Sequence, residues 1–224
     1  MSIIVQSGGE EAKRPYDARK RRERADEERR ATRSRVIEAA TGLFATKGFK
    51  GTTMADIARE AGVAMQSVYT AGRSKAELLG AAVGRSVAGD DQEVLVDERP
   101  WSAEVSAEPD PVCQVQLIAG FICDIQERSE PMQAAQREAA AFDPIAATGL
   151  DEAHRRRREA FRAVIGMLPE TSLRSSPDAS TDTMWAVASA EVFLLLRRGR
   201  GWTWDQIRAW LSRTLVDLLL LPET

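Results

Sequence analysis

The sequence predicts an all-α fold with a helix-turn-helix near its N-terminus, on three observations. Apolar residues recur at helical spacing, as at Val36, Ala39, Ala40, Leu43 and Phe44, the stripe that buries one face of a helix. No stretch alternates apolar and polar residues as a half-buried strand does. Residues 53–79 set capping residues and a glycine where two short helices and the start of a third require them.

Residues 1–10 read as disordered. Residues 13–35 are dominated by charge: Lys13, Arg14, Arg19, Lys20, Arg21, Arg22, Arg24, Arg29, Arg30, Arg33 and Arg35, interrupted by Asp17, Glu23, Asp26, Glu27 and Glu28. The i,i+4 pairs Asp17/Arg21 and Asp26/Arg30 support a solvated helix. The stripe from Val36 to Phe44 is the first core helix, ended by Gly48. Thr53 is the expected N-cap of the next helix, with Asp56 placed to reach back to the free amide. Gly62 suits the left-handed position that stops that helix. Ser74 to Glu77 reads as a capping box, so a further helix starts at Lys75 and runs through Leu78, Leu79, Ala82 and Val83. Pro100, Pro109 and Pro111 among acidic residues make 89–111 a loop or a broken helix. Helices follow at about 111–128, 131–142, 149–168 and 180–197, and from Trp204 to Leu221.

Ile57 and Ala58 precede Gly62, and Val63 and Val68 continue the apolar set beyond it. That spacing lets two short helices cross with the glycine at the bend, leaving the outer face of the second free for a DNA groove. The function this implies is DNA binding by a regulator.

The totals agree. A chain of 224 residues holds one large domain or two modest ones. Its net charge of -3 conceals an asymmetry: residues 1–78 carry 16 Lys and Arg against 11 Asp and Glu, and residues 79–224 carry 15 against 23. A basic front suits phosphates and an acidic back does not. No apolar run approaches the roughly 20 residues of a bilayer span, and Ser2 to Val5 is too short for a signal peptide. Cys113 and Cys123 sit in one expected helix, roughly 15 Å apart and too far for a bridge. A reduced, cytoplasmic protein is expected. A single histidine, two distant cysteines and the lack of a Glu-x-x-His pair leave no metal-ligand spacing, and no nucleophile motif is present. Neither a catalytic residue, a metal nor a cofactor is expected.

Ala39-Ala40, Leu43-Phe44, Gly48-Phe49, Thr52-Thr53, Ile57-Ala58, Ala61-Gly62-Val63, Val68-Tyr69 and Ser74-Lys75 followed by Leu78-Leu79 together resemble the DNA-binding domain of the TetR family of transcriptional regulators. The likeness runs from Val36 to Leu79. It implies a charged, flexible arm at 1–30, a helix-turn-helix DNA-binding domain at 31–78, and a helical effector-binding and dimerisation domain at 79–224. The implied function is a ligand-responsive regulator, a repressor, that binds a palindromic operator as a homodimer. Carried over residue by residue, Thr53 and Tyr69 hydrogen-bond phosphates through their hydroxyls. Lys75 meets a phosphate at the positive end of its helix. Ala64, Met65, Gln66 and Ser67 face the base edges. Gln66 is the best reader, since its amide can pair bidentately with adenine, worth about 1–3 kcal/mol of discrimination; Ala64 and Met65 suit thymine methyls. Gly72 departs from the family, which has an aromatic residue there, most often Phe, packing the recognition helix on the next. Ala71 and the Leu78/Leu79 pair are at hand to fill the space.

The basic arm has two readings: a solvated helix with no partner, or a strip that follows phosphates or enters the minor groove. Deleting residues 1–30 is expected to flatten the plot of log affinity against log salt by several units of slope; an unchanged slope makes the arm a bystander.

In the helix expected at 149–168, Leu150, Phe161, Val164, Ile165 and Leu168 share one face with His154 and Arg157. Polar groups on a core stripe need partners. They pair with Asp124 or Gln136 on neighbouring helices, or they supply the polar contacts of an apolar cavity lined by Phe121, Met132 and Phe142. The candidate effector residues are therefore Phe121, Met132, Gln136, Phe142, His154 and Arg157. The last two helices are apolar on more than one side, with Trp185, Val192 and Leu196 in one and Trp204, Ile207, Leu211, Leu215 and Leu218 in the other. The resemblance implies that these meet their copies in a four-helix dimer interface. A constitutive architectural DNA-binding dimer is the alternative function, and a helical-bundle enzyme the less favoured one.

Overall fold

A computed structural model describes residues 15–89 and 100–222, with side chains from residue 19. Lys13, Arg14, the side chain of Asp17 and the stretch expected to be disordered lie outside the described residues. The described chain is helical throughout, and its only extended pairing is an isolated antiparallel bridge between Leu173 and Leu220.

Helix α1 spans Pro15–Lys47 and ends at Gly48, whose φ of 69° is left-handed. Its first half is exposed and carries local ion pairs, Arg19 with Glu23 and Asp26 with Arg29 rather than the expected Arg30. Its second half buries Val36, Ala39, Ala40, Leu43 and Phe44. Helix α2, Met54–Ala61, ends at Gly62 with φ 63°, where the Gly62 and Val63 amides return to the Arg59 and Ala58 carbonyls. Helix α3 is Met65–Ala71 and α4 is Lys75–Ala88. Ser74 caps α4 by accepting from the Glu77 amide. The expected return bond goes one residue further back, since Glu77 accepts from the Arg73 amide.

Helix α5, Pro100–Ala107, occupies part of the stretch read as a loop or broken helix. Helix α6, Pro111–Ala140, corrects the expectation of two helices by running straight through Pro131. Proline removes one backbone bond, but the helix continues through it, packed against α4, α7 and α10. Helix α7, Pro144–Ile165, starts earlier than expected, because Asp143 caps it ahead of a proline in its first turn. Helix α8, Pro177–Val187, and the short α9, Ala190–Leu194, replace the single helix expected at 180–197. Ser189 breaks it, its hydroxyl accepting from the Val192 amide to restart the chain as a cap. A π-helical turn at Leu195–Gly199 follows, then α10, Trp204–Leu219.

Two apolar cores result. One joins α1 to α4 with Met132, Ala135 and Ala139 of α6 and Ala146 of α7. The other gathers α5 to α10 around Ile118, Phe161, Met184, Phe193, Ile207 and Leu211. The boundary drawn at 78/79 falls inside α4, whose Leu78, Leu79, Ala82 and Val83 all belong to the first core.

Candidate nucleic-acid interface and sensor cavity

Helices α2 and α3 cross at Gly62 with Ile57, Ala58 and Val68 buried behind them. On the outer side Ala64 and Gln66 are exposed, Ser67 is half-buried, Met65 is 39% exposed and Tyr69 47%. Met65 and Tyr69 are thus large side chains turned to solvent beside fully buried neighbours. Thr53 holds the other edge of this face. Its hydroxyl accepts from the Asp56 amide at 3.1 Å and donates to the Asp56 carboxylate at 2.6 Å, while its own amide donates to that carboxylate at 3.2 Å.

Those bonds from the Thr53 hydroxyl and amide, aided by Arg59 and Lys47, hold the Asp56 carboxyl below its ordinary value of 3.8. A carboxylate favoured by the fold stabilises it above the ordinary value and loses that contribution as pH falls through the lowered one. Acidification through that lowered value therefore weakens the α2 cap. Thr53→Ala is expected to move the Asp56 titration upward, read from its carboxyl-carbon NMR shift; an unmoved titration would remove the cap from this account.

Lys75 faces inward rather than out toward a phosphate. Its Nζ donates to the Phe49 carbonyl at 2.6 Å and the Thr52 carbonyl at 2.9 Å, and lies 4.1 Å from the Phe49 ring centroid. Burial pushes its pKa down, with Asp143 and Glu138 opposing. Sequence alone missed this tether, because its partners are loop carbonyls more than twenty residues away. Leu78 occupies the place of the family's aromatic ring: a Cβ on Gly72 would come within 2.7 Å of Leu78 Cδ2.

The candidate effector residues divide. Phe121 lines a cavity of about 90 Å³ with Val87, Ala88, Trp101, Asp124, Ile125 and Arg128. A second space of about 40 Å³ continues it toward Ile118, Phe161 and Val164. Arg128 also caps the end of α4, its Nε and Nη2 donating to the Ser86 and Val87 carbonyls at 3.0 and 2.6 Å. The cavity wall thus includes the end of the helix that begins at Lys75. Met132 and Phe142 are not part of it. Met132 is buried in the core that α6 shares with α1 and α4, where its stripe continues past Pro131. Phe142 is 63% exposed on the α6–α7 turn, with Lys50 Nζ 3.5 Å from its ring centroid. Gln136 is buried near Gly149, also away from the cavity lining.

His154 and Arg157 are partnered, though not by Asp124, which pairs with Arg208 at 2.6 Å, nor by Gln136. His154 Nε2 lies 3.6 Å from Glu191, which also pairs with Arg137. Arg157 donates to the Trp185 carbonyl at 3.3 Å and sits 5.0 Å from the Trp185 ring centroid. The intervening break in α8–α9 brings Glu191 to them, which a continuous helix would not have suggested.

Three of the expected interface residues are corrected. Ile207, Leu211 and Leu215 have no exposed surface and pack inside the second core, so they are unavailable to a second copy. Periodicity finds a buried stripe without saying what covers it, and here α6 does. Trp185, Val192, Leu196 and Trp204 are half-buried and Leu218 is 43% exposed. Leu195, which flanks the Trp185 to Leu196 stripe, and Leu221 add exposed apolar surface.

The family model for bacterial regulatory proteins, tetR family, matches residues 36–82. The chain is 45% identical over 56 residues to the HTH-type transcriptional regulator TtgR of Pseudomonas putida, a match covering 25% of this chain and 27% of TtgR. It therefore spans about a quarter of the length of that curated relative. Among solved structures, NalD, the secondary repressor of the MexAB-OprM multidrug efflux pump in Pseudomonas aeruginosa, shares the fold with a TM-score of 0.61 at 18% identity, over 87% of this chain and 98% of that one. A proposed transcriptional regulator from Saccharomonospora viridis, in complex with choline, does so at 0.62 and 18%, over 85% and 98%. Residues 36–82 thus match the tetR family of bacterial regulatory proteins, and the chain as a whole shares the fold of those two solved structures.

Proposed function

We propose that this chain is a ligand-responsive transcriptional repressor that binds a palindromic operator as a homodimer. The observation that carries the reading is the sidedness of α2 and α3: Ile57, Ala58 and Val68 are buried while Met65, Gln66 and Tyr69 face solvent. Gln66 and Met65 are the base readers. Tyr69 and Thr53 reach phosphates, Thr53 by trading its hydroxyl bond to Asp56. A two-fold dimer sets two such heads about 34 Å apart or a small multiple, matching an inverted repeat. The dimer face is the side of α8 to α10 bearing Val192, Leu196, Trp204 and Leu218, whereas Trp185 turns to α7, its Nε1 donating to the His154 carbonyl. The effector cavity between α4, α5 and α6 supports ligand response, because whatever fills it presses on Val87 and Ala88. At about 90 Å³ it is smaller than a typical drug-sized site, so the effector is small or parts Trp101 from Phe121.

A gel shift at two salt concentrations, on the inverted repeat nearest the gene, tests this. Specific retardation that weakens in Gln66→Ala and is released by an effector is the expected result. Retardation indifferent to sequence overturns the operator reading, and retardation indifferent to every effector leaves a constitutive architectural dimer.

A further inference from the structure

Outside the cavity, one cluster holds more positive charge than its surroundings neutralise. Arg137 of α6 and His154 of α7 converge on a single carboxylate, Glu191 of α9, and Arg157 of α7 lies beside them over the Trp185 ring, which forms the apolar wall. Arg157 is largely buried, and its Nε has no hydrogen-bond partner. The mouth is open: the side chains of Glu191, His154 and Arg157's neighbour Arg137 keep 48%, 33% and 24% of their surface. Glu191 is also carried by a five-residue helix, between the break at Ser189 and a π-helical turn, a segment that shifts at lower cost than a long helix.

We propose that Arg137, His154 and Arg157 form a binding site for a small organic carboxylate, in which Glu191 is the internal competitor. Guanidinium groups favour the paired acceptor oxygens of a carboxylate, and the Trp185 ring offers a face for an apolar body. An arriving carboxylate takes over the Arg137 pairing from Glu191 and releases α9. The site is separate from the apolar cavity and is read without DNA, so either reading can fail alone.

The chain's single histidine makes the test site-specific. Benzoate is titrated into the full-length protein while the His154 imidazole proton signals are followed by NMR, with benzamide as the neutral isostere. The expected result is a saturable His154 shift with benzoate, absent with benzamide and at least about tenfold tighter in Glu191→Gln, where the competitor is gone. Arg157→Met should abolish it. The wild-type titration keeps the test valid if a variant folds poorly. No His154 response in either protein, an equal response to benzamide, or equal benzoate affinity in wild type and Glu191→Gln would each overturn the proposal; benzoate lodged in the apolar cavity gives the first of these.

Discussion

Replacing Lys75 with methionine is expected to weaken operator binding and lower thermal stability, while leaving the salt slope of DNA binding unchanged. The ammonium ties the start of α4 to the α1–α2 connection through the Phe49 and Thr52 carbonyls and the Phe49 ring. Methionine keeps the stem and removes the donors, so the Thr52 carbonyl loses this partner and the Phe49 carbonyl keeps only the Thr52 amide at 3.4 Å, at a cost of about 1–3 kcal/mol. The face carrying Thr53 then loses its fixed position relative to α4, and affinity falls indirectly. A direct phosphate contact behaves differently, because its removal reduces the salt slope by about one unit. A reduced slope in Lys75→Met would restore the outward role that the family resemblance implies.

Leu211→Ala should be strongly destabilising, and should not change the association state of protein that remains folded. Leu211 is fully buried between α10 and α6. Truncating a buried leucine costs about 2–5 kcal/mol through lost transfer energy and the cavity left behind. For a chain of this size that lowers Tm by roughly 5–20 °C. Leu218→Glu makes the opposite pattern: its exposed side chain contributes little to the monomer, but a charge on the proposed dimer face disfavours the pairing of copies. Calorimetry and sedimentation on the two variants separate core from interface. A folded, monomeric Leu211→Ala protein would return that residue to the interface.

What could be read from sequence was what is decided locally. Thr53 and Asp56 bond across one helical turn, and Gly62 needs only its own left-handed φ, so both were legible in a few residues. The apolar stripe from Val36 to Phe44 was legible because one face meets one core. Pro131 misled because its local preference was overridden by the helices packed along α6. Ile207, Leu211 and Leu215 were rightly placed on a buried face, yet periodicity is blind to whether the cover comes from the same chain or a copy. Lys75 and Arg128 find carbonyl partners tens of residues away, and Met132 lies in a different core from Phe121 although both are on α6. No spacing rule on a single helix reveals such partners.

Helix α6 has a thermodynamic corollary. Its 30 residues, about 45 Å of rod, place Ile118 and Ile122 in one core and Met132, Ala135 and Ala139 in the other. Neither half can melt without fraying a shaft that the other still grips. Heating should therefore give one calorimetric transition for the whole molecule, its van't Hoff and measured enthalpies agreeing, where two beads on a flexible string would give two.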